Sequence, residues 1–403
     1  LPALSVNDDA VVVWTAAAPP PLSYTPQQRC GAAAMPQIGR AAATLPQSRR
    51  FAYTPSPMSV PLAKVYRGSY LESVHRGSIA VVDSRGTMLA FAGDPGLRTC
   101  LRSAAKPFQG IPLLEYGGVE EYDLTSEEVA LTCASHGGEP HHVATAAALL
   151  RKGEFDEEDL LCGAHLPYDD KAVAELRGEP PSPLHNNCSG KHAGMLLATQ
   201  VMDVPAAGYI DASHPLQVLM RATLADFAGL TADEVPIAID GCGVPAFFLS
   251  LYRSAYAYAR LMSGAIPRYA ESGAKVVESM TGFPGYVAGS WSMTTPLMAA
   301  FRGELLAKEG AEGFYAMALS PALCGQLTER LPLTDDGAVG IALKIDDGSM
   351  ERGRNPVILR LLELLGLDLD ARPELEPYRL WPLRNHAGTL VGDVRPEFEL
   401  EVL

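Results

Sequence analysis

Three shortages in this 403-residue chain exclude whole classes of protein. Positive charge is scarce: 32 Lys and Arg face 47 Asp and Glu, a formal charge of −15. A nucleic-acid or anionic-membrane surface needs a net basic face, so neither partner is expected. Long apolar runs are missing, with no stretch approaching 18 residues, so no spanning helix is expected. Cysteine is sparse, and seven is an odd number, which argues against a disulfide scaffold. No internal repeat is present. What remains is 47% apolar and 20% charged, the composition of a folded globular chain of enzyme size. Its length suits one large domain or two intimate ones. A cytoplasmic location and a small-molecule substrate are the expectation.

Residues 1–57 differ from the rest. They hold nine prolines, three alanine triplets, and four arginines against two aspartates. Asp8 and Asp9 precede the apolar stretch and no basic residue comes before Arg29, so a secretory signal is not indicated. Such a segment buries too little surface to offset its ordering entropy. It reads as a disordered tail or as sequence upstream of the real start, with a catalytic domain over 58–403.

Strand-like runs occupy 62–70, 78–83 and 87–92, the last two joined through Ser84-Arg85-Gly86, a hairpin signal. Helical patterns dominate from about 103 to 300. Thr125-Ser126-Glu127-Glu128 is a capping box leading into 129–134, and helices are expected at 142–151, 190–202, 215–227, 246–262 and 268–280. Strands return at 303–307, 314–319, 340–345 and 389–394, with a helix at 357–365. Strands at both ends and helices between them predict an α+β fold: one antiparallel sheet flanked by helices, with a mostly helical insertion.

Small polar residues and glycines cluster at five places. In Arg102-Ser103-Ala104-Ala105-Lys106-Pro107, Ser103 and Lys106 share one face of a helical turn. The Pro107 ring would clash with the carbonyl of Ser103 inside a longer helix, so the helix should start near Ser103. A hydroxyl nucleophile there needs a base, and an ordinary lysine, at pKa ~10.4, is neutral only about 0.04% of the time at pH 7. Burial or a cationic neighbour such as Arg102 must lower it. The plainer alternative is a capping serine and a surface lysine.

Cys133-Ala134-Ser135-His136-Gly137-Gly138-Glu139-Pro140-His141-His142 offers a turn that can present a hydroxyl. Its histidines resemble a metal patch, but neighbours on one turn rarely converge and no H-x-x-x-H is present. Two further turns each contain a cysteine among glycines: Asn186-Asn187-Cys188-Ser189-Gly190-Lys191-His192 and Asp240-Gly241-Cys242-Gly243-Val244-Pro245. A phosphate-loop reading of Ser189-Gly190-Lys191 fails, because His185 and His192 stand where that pattern needs glycine and Ser or Thr. The two cysteines can hold a soft metal, pair as a disulfide, or pack as small hydrophobes. Lys308-Glu309-Gly310-Ala311-Glu312-Gly313 supplies a strand lysine able to point into a cleft.

Together with Glu72-Ser73-Val74-His75-Arg76-Gly77, these motifs resemble, in order, those of the asparaginase II family, the third structural class of L-asparaginases, over roughly 60–403. The resemblance implies a fold like that of serine β-lactamases and glutaminases. It implies hydrolysis of L-asparagine to L-aspartate and ammonia through two serine–lysine pairs, Ser103 with Lys106 and Ser135 with Lys308. Lys308 is preferred to Lys344 because its Lys-x-Gly context resembles the β-lactamase lysine triad. The resemblance further implies one zinc on Cys188, Lys191 and Cys242, with Arg102, Asp240 and His192 at the substrate; a homodimer is expected. The rivals are another serine amidohydrolase (a glutaminase, or a β-lactam or D-peptide hydrolase) and a zinc-dependent amino-acid sensor without turnover.

Overall fold

The computed structural model describes residues 58–327, 331, 333 and 337–403; the proline-rich 1–57 segment lies outside them. Twelve strands occur among the described residues: β1 Val60–Arg67, β2 Tyr70–Asp83, β3 Met88–Ala92, β4 Arg98–Cys100, β5 Ile237–Ile239, β6 Pro245–Ser250, β7 Leu305–Glu309, β8 Phe314–Leu319, β9 Val339–Ile345, β10 Trp381–Arg384, β11 Leu390–Pro396 and β12 Glu401–Val402. Nine of them form one antiparallel sheet in the order β10-β11-β1-β2-β9-β8-β7, with β3 on β2 and β12 on β3. The expected α+β architecture is therefore present, with the sheet drawn from both ends of the chain and helices between.

Local chemistry explains several elements. In the β2–β3 hairpin, Asp83 Oδ1 accepts from the N–H groups of Arg85 (2.9 Å) and Thr87 (2.7 Å), and Gly86 adopts φ +88°. The capping box is formed as well: Thr125 Oγ1 accepts from Glu128 N–H at 3.3 Å and Glu128 Oε2 from Thr125 N–H at 2.8 Å. Its helix, however, spans Ser126–Thr132, ending before Ser135.

The helix expected over 246–262 opens as strand and turns helical only at Leu251. Phe247 and Phe248 belong to β6, which pairs with β5 (Ile237 opposite Phe247) and with β4 (Cys100 opposite Phe248). The Leu251–Ser263 helix begins only after Ser250, whose Oγ accepts from Arg253 N–H at 3.2 Å. Aromatic residues suit a pleated, half-buried surface, and cross-strand partners available only in the fold overrode the helical spacing.

The Leu251–Ser263 helix lies across the sheet. Contact is so close that a Cβ on Gly340 of β9 would stand 1.8 Å from the carbonyl oxygen of Ala255. The main core fills this interface, with Ile79, Val81, Leu305, Phe314, Met317 and Ile341 buried. A second cluster, around Val129, Leu149, Leu196, Leu197 and Met220, lies within the helical part. Each fully buried side chain of this kind contributes about 1.5–3 kcal/mol. Cys188 and Cys242 border the second cluster, and the candidate site lies where elements of both meet.

Candidate functional site

Ser103 sits where chain geometry is forced. Arg102 takes φ +49°, a left-handed conformation uncommon for a residue with a side chain, and a tight turn over Arg102–Ala105 opens into the Lys106–Glu115 helix with Pro107 in its first turn. Ser103 is half-buried, and among the described residues its hydroxyl has no hydrogen-bond partner. Lys106 is 1% exposed. Its ammonium does not turn back to Ser103. It crosses to the second serine, donating to Ser135 Oγ at 2.8 Å and to the Ala134 carbonyl at 2.5 Å, and its charge favours the Cys188 thiolate.

Ser135 follows the Ser126–Thr132 helix in a buried, irregular segment pinned from three sides. Its N–H donates to the Val287 carbonyl (2.8 Å), His136 N–H donates to the Asn187 carbonyl (3.2 Å), and the His136 ring bridges Ser189 Oγ (2.9 Å) and Gly138 N–H (3.1 Å). Burial pushes the His136 pKa far down, so the ring is neutral and acts as a spacer. Gly190, at the start of the Ser189–Val201 helix, allows that helix to approach: a Cβ there would lie 2.6 Å from the Leu131 carbonyl oxygen.

Lys308 reaches Ser135 from the sheet. It lies on β7, an edge strand, and is fully buried with Nζ 2.9 Å from Ser135 Oγ. Lys344 spends its ammonium on the carbonyls of Glu312 (2.5 Å) and Ile345 (2.6 Å). Burial lowers the Lys308 pKa to about 7; Lys106 and Arg354 push the same way, Glu309 and Cys188 against. At neutral pH Lys308 is thus divided between donor and acceptor forms, and a hydroxyl between two lysines can pass a proton in either direction.

Ser103 and Ser135 open on one cavity of about 300 Å³, walled also by Tyr168, Asn187, Trp291 and Glu309. A hollow of about 960 Å³ between the 261–264 and 299–303 segments is larger, but none of the expected site residues lines it. Arg102, Asp240 and His192, expected to bind substrate, do not line the smaller cavity either. Arg102 and Asp240 instead pair with each other, guanidinium to Oδ1 at 3.0 and 2.9 Å, which ties the Ser103 turn to the Cys242 turn. Burial opposes the Asp240 charge, but Arg102 outweighs it and keeps the carboxyl below its ordinary pKa. His192 is wholly buried, its Nδ1 2.7 Å from the Tyr209 hydroxyl, and burial keeps the ring neutral.

The two cysteine turns, remote in sequence, do come together. Cys188, Lys191 and Cys242 are each no more than 6% exposed, Lys191 Nζ lies 3.0 Å from Cys242 Sγ, and the two sulfurs are hydrogen-bonded. The Cys242 hydrogen bond holds Cys188 well below the ordinary thiol range, whereas Cys242 is pushed up by that bond and by burial. Burial disfavours the Lys191 charge, but the facing sulfurs outweigh it and raise its pKa. Two sulfurs and an amine converging from two turns are a donor set that fits zinc.

Glu139, His141 and His142 also converge, with ligand atoms within 4.8 Å of one another, although sequence spacing argued otherwise. Both His142 nitrogens are nevertheless engaged, Nε2 with the Gly285 carbonyl (2.8 Å) and Nδ1 with Glu139 N–H (3.2 Å). That leaves His142 without a free nitrogen for a metal.

Sequence reasoning missed Trp291, Tyr168 and Arg354. None lies in a glycine-rich motif, so no local signal marks them. Glu309 was within reach as the neighbour of Lys308, yet a single acidic residue after a strand lysine says nothing about burial.

The sequence profile described as L-asparaginase II matches residues 63–396. No curated protein matches the chain. Among solved structures, one described as Mglu in its native form is 17% identical, with 73% of this chain and 66% of that chain covered and a TM-score of 0.41. A probable glutaminase from Bacillus subtilis complexed with 6-diazo-5-oxo-L-norleucine is 15% identical, with 73% and 85% covered and a TM-score of 0.36. The chain thus spans just under two thirds of the Mglu chain's own length. These low scores add no argument beyond the family match. Among the described residues no helix is long and apolar enough to cross a membrane. With most of its length matched, the chain belongs to the L-asparaginase II family, a family of amidohydrolases.

Proposed function

We propose that this chain hydrolyses the side-chain amide of L-asparagine to L-aspartate and ammonia through an acyl-serine. The observation that carries the reading is Ser135 Oγ held between two buried lysines, at 2.8 and 2.9 Å, on the cavity that also exposes the unengaged Ser103 hydroxyl. Ser103 Oγ bonds to the amide carbon as its proton passes by way of Ser135 to the lysine pair, Lys308 taking it in its neutral form. The carbon–nitrogen bond then breaks as that proton moves through Ser135 to the leaving nitrogen, which departs as ammonia. Lys308 sets the direction in which the Ser135 hydrogen points. Water next attacks the ester, giving a proton to the lysine pair, and the proton returns to Ser103 as aspartate leaves. Backbone N–H groups at the oxyanion contribute about 3 kcal/mol per donor.

Cys188, Lys191 and Cys242 would hold a zinc ion, with Lys191 neutral when ligated. When bound, that ion would clamp the two turns together and orient substrate rather than activate water, since this is not a usual hydrolytic ligand set.

Ammonia release from L-asparagine and L-glutamine, measured on one purified sample, tests the reading. One methylene is worth about 10- to 200-fold in discrimination. A kcat/KM for asparagine at least tenfold above that for glutamine supports it. Equal or faster glutamine hydrolysis leaves an amidohydrolase with the asparagine assignment overturned.

A further inference from the structure

Two buried polar atoms beside the cavity have no protein partner, and they are chemically complementary. Glu309 is 4% exposed. Its Oε2 accepts from Ser292 Oγ at 2.8 Å and faces Arg354 Nη2 at 3.4 Å. Its Oε1 has no hydrogen-bond partner among the described residues. Trp291, packed against Tyr168 with ring centroids 5.0 Å apart, has a buried indole Nε1–H in the same condition. Both residues line the cavity of Ser103 and Ser135.

An acceptor on a carboxylate and a neutral donor, each buried and unmatched, are destabilising when left unpaired. The ligand that satisfies both has a cationic donor and an anionic acceptor close together. A free α-amino acid carries them on one carbon. The Oε2 bonds to Ser292 and Arg354 hold the carboxylate rigid and leave Oε1 as its unengaged oxygen.

We infer that Glu309 Oε1 receives the α-ammonium of the substrate and Trp291 Nε1–H its α-carboxylate, making these two residues the specificity determinants for free α-amino acid amides. The inference rests on the amidohydrolase reading above and narrows its substrate class: an amide with a missing or blocked α-amine is excluded, whatever its acyl chain. Glu309 is then a binding residue in its own right, distinct from its role beside Lys308.

Paired substrates test this. Succinamate is asparagine without the ammonium, and 3-aminopropanamide is asparagine without the carboxylate. A hydrogen bond to a charged group is worth roughly 10- to 100-fold. The wild type should therefore prefer asparagine to either analogue by at least tenfold in kcat/KM. Glu309→Gln, which keeps shape and the Ser292 contact, should lower asparagine turnover by that factor while leaving succinamate within threefold. Trp291→Phe should do the same for asparagine against 3-aminopropanamide. Equal losses on both members of a pair would mean that the residue only supports the fold or Lys308, and would overturn the inference. So would a wild type indifferent to the ammonium.

Calorimetric titration of L-asparagine into full-chain Ser103→Ala, with and without Glu309→Gln, separates this inference from the activity reading. Binding lost with Glu309→Gln, in a protein whose wild type releases no ammonia, keeps the inference and removes the activity. Ammonia release with no Glu309-dependent binding keeps the activity and removes the inference.

Discussion

Ser103 and Ser135 open on the same cavity in opposite conditions. Ser103 is half-buried and its hydroxyl is unengaged, and it sits on a turn whose preceding residue is held left-handed. Ser135 is 3% exposed and accepts hydrogen bonds from two lysines. A nucleophile needs a free lone pair and access, whereas a proton relay needs fixed partners and exclusion of water. The contrast teaches that the lysine three residues after Ser103 serves the cavity through the other serine, so the two serine–lysine pairs operate as one four-residue unit.

The largest expected effect lies on the Ser103 side. Ser103→Ala and Lys106→Ala should each cut kcat by at least about 10⁴-fold, and the double variant should be no worse than either single, because members of one unit are not additive. Rate assays with melting curves check this; strictly additive losses would split the unit in two. On the relay side, Ser135→Ala should cost about 10²- to 10⁴-fold, the usual range for a proton-transfer group. If Ser135→Ala silences the enzyme while Ser103→Ala leaves it active, the roles are reversed.

The second contrast is in charge. Lys308 faces Glu309, Arg354, Lys106 and Cys188, and its pKa lies near 7 in the folded chain against an ordinary value of 10.5. If neutral Lys308 is the competent form, kcat/KM should climb through about pH 7, and Lys308→Arg should abolish that limb. The linkage has a definite sign. Between about pH 7 and 10.5 the unfolded chain binds more protons than the folded one, so this group makes stability rise with pH over that window. Below pH 7 its full desolvation cost is present. Lys308→Met should therefore raise the melting temperature most at acidic pH, read by melting curves from pH 5 to 9.

Smaller effects test what holds the two serine turns in place. Purified protein should carry close to one zinc per chain and Cys188→Ser much less, by metal analysis. Chelation should raise KM for asparagine by about tenfold, one lost orienting contact, with kcat within threefold; a loss confined to kcat would make the metal catalytic. Smallest of all, Thr125→Ala removes the cap of the helix leading to Ser135. It should cost about 1 kcal/mol of stability, seen in denaturant titration, with kcat near wild type.

Much of this was legible locally. The hairpin at Ser84–Gly86 and the capping box at Thr125 depend on neighbours within about four residues, and both are present in the fold; the helix expected from near Ser103 opens there as a 3-10 turn and becomes α-helical only at Lys106. The 246–262 segment was misread because the partners that made Phe247 and Phe248 a strand come from residues near 100 and 237. Arg102 and Asp240 were singled out for substrate, yet they satisfy each other across 138 residues.

By itself, the amino-acid sequence determined which chemistry was available: one S-x-x-K segment and one Ala-Ser-His segment, two cysteine turns, a strand lysine, and the glycines that let them turn. Those are properties of residue type and short spacing. Only the tertiary structure decided that Lys106 turns to Ser135, that Lys308 rather than Lys344 joins it, and that Glu309 and Trp291 each keep one polar atom without a protein partner. Such choices depend on burial and on distances between segments more than a hundred residues apart. Burial sets whether a lysine is a base or a surface charge, and no local pattern encodes it.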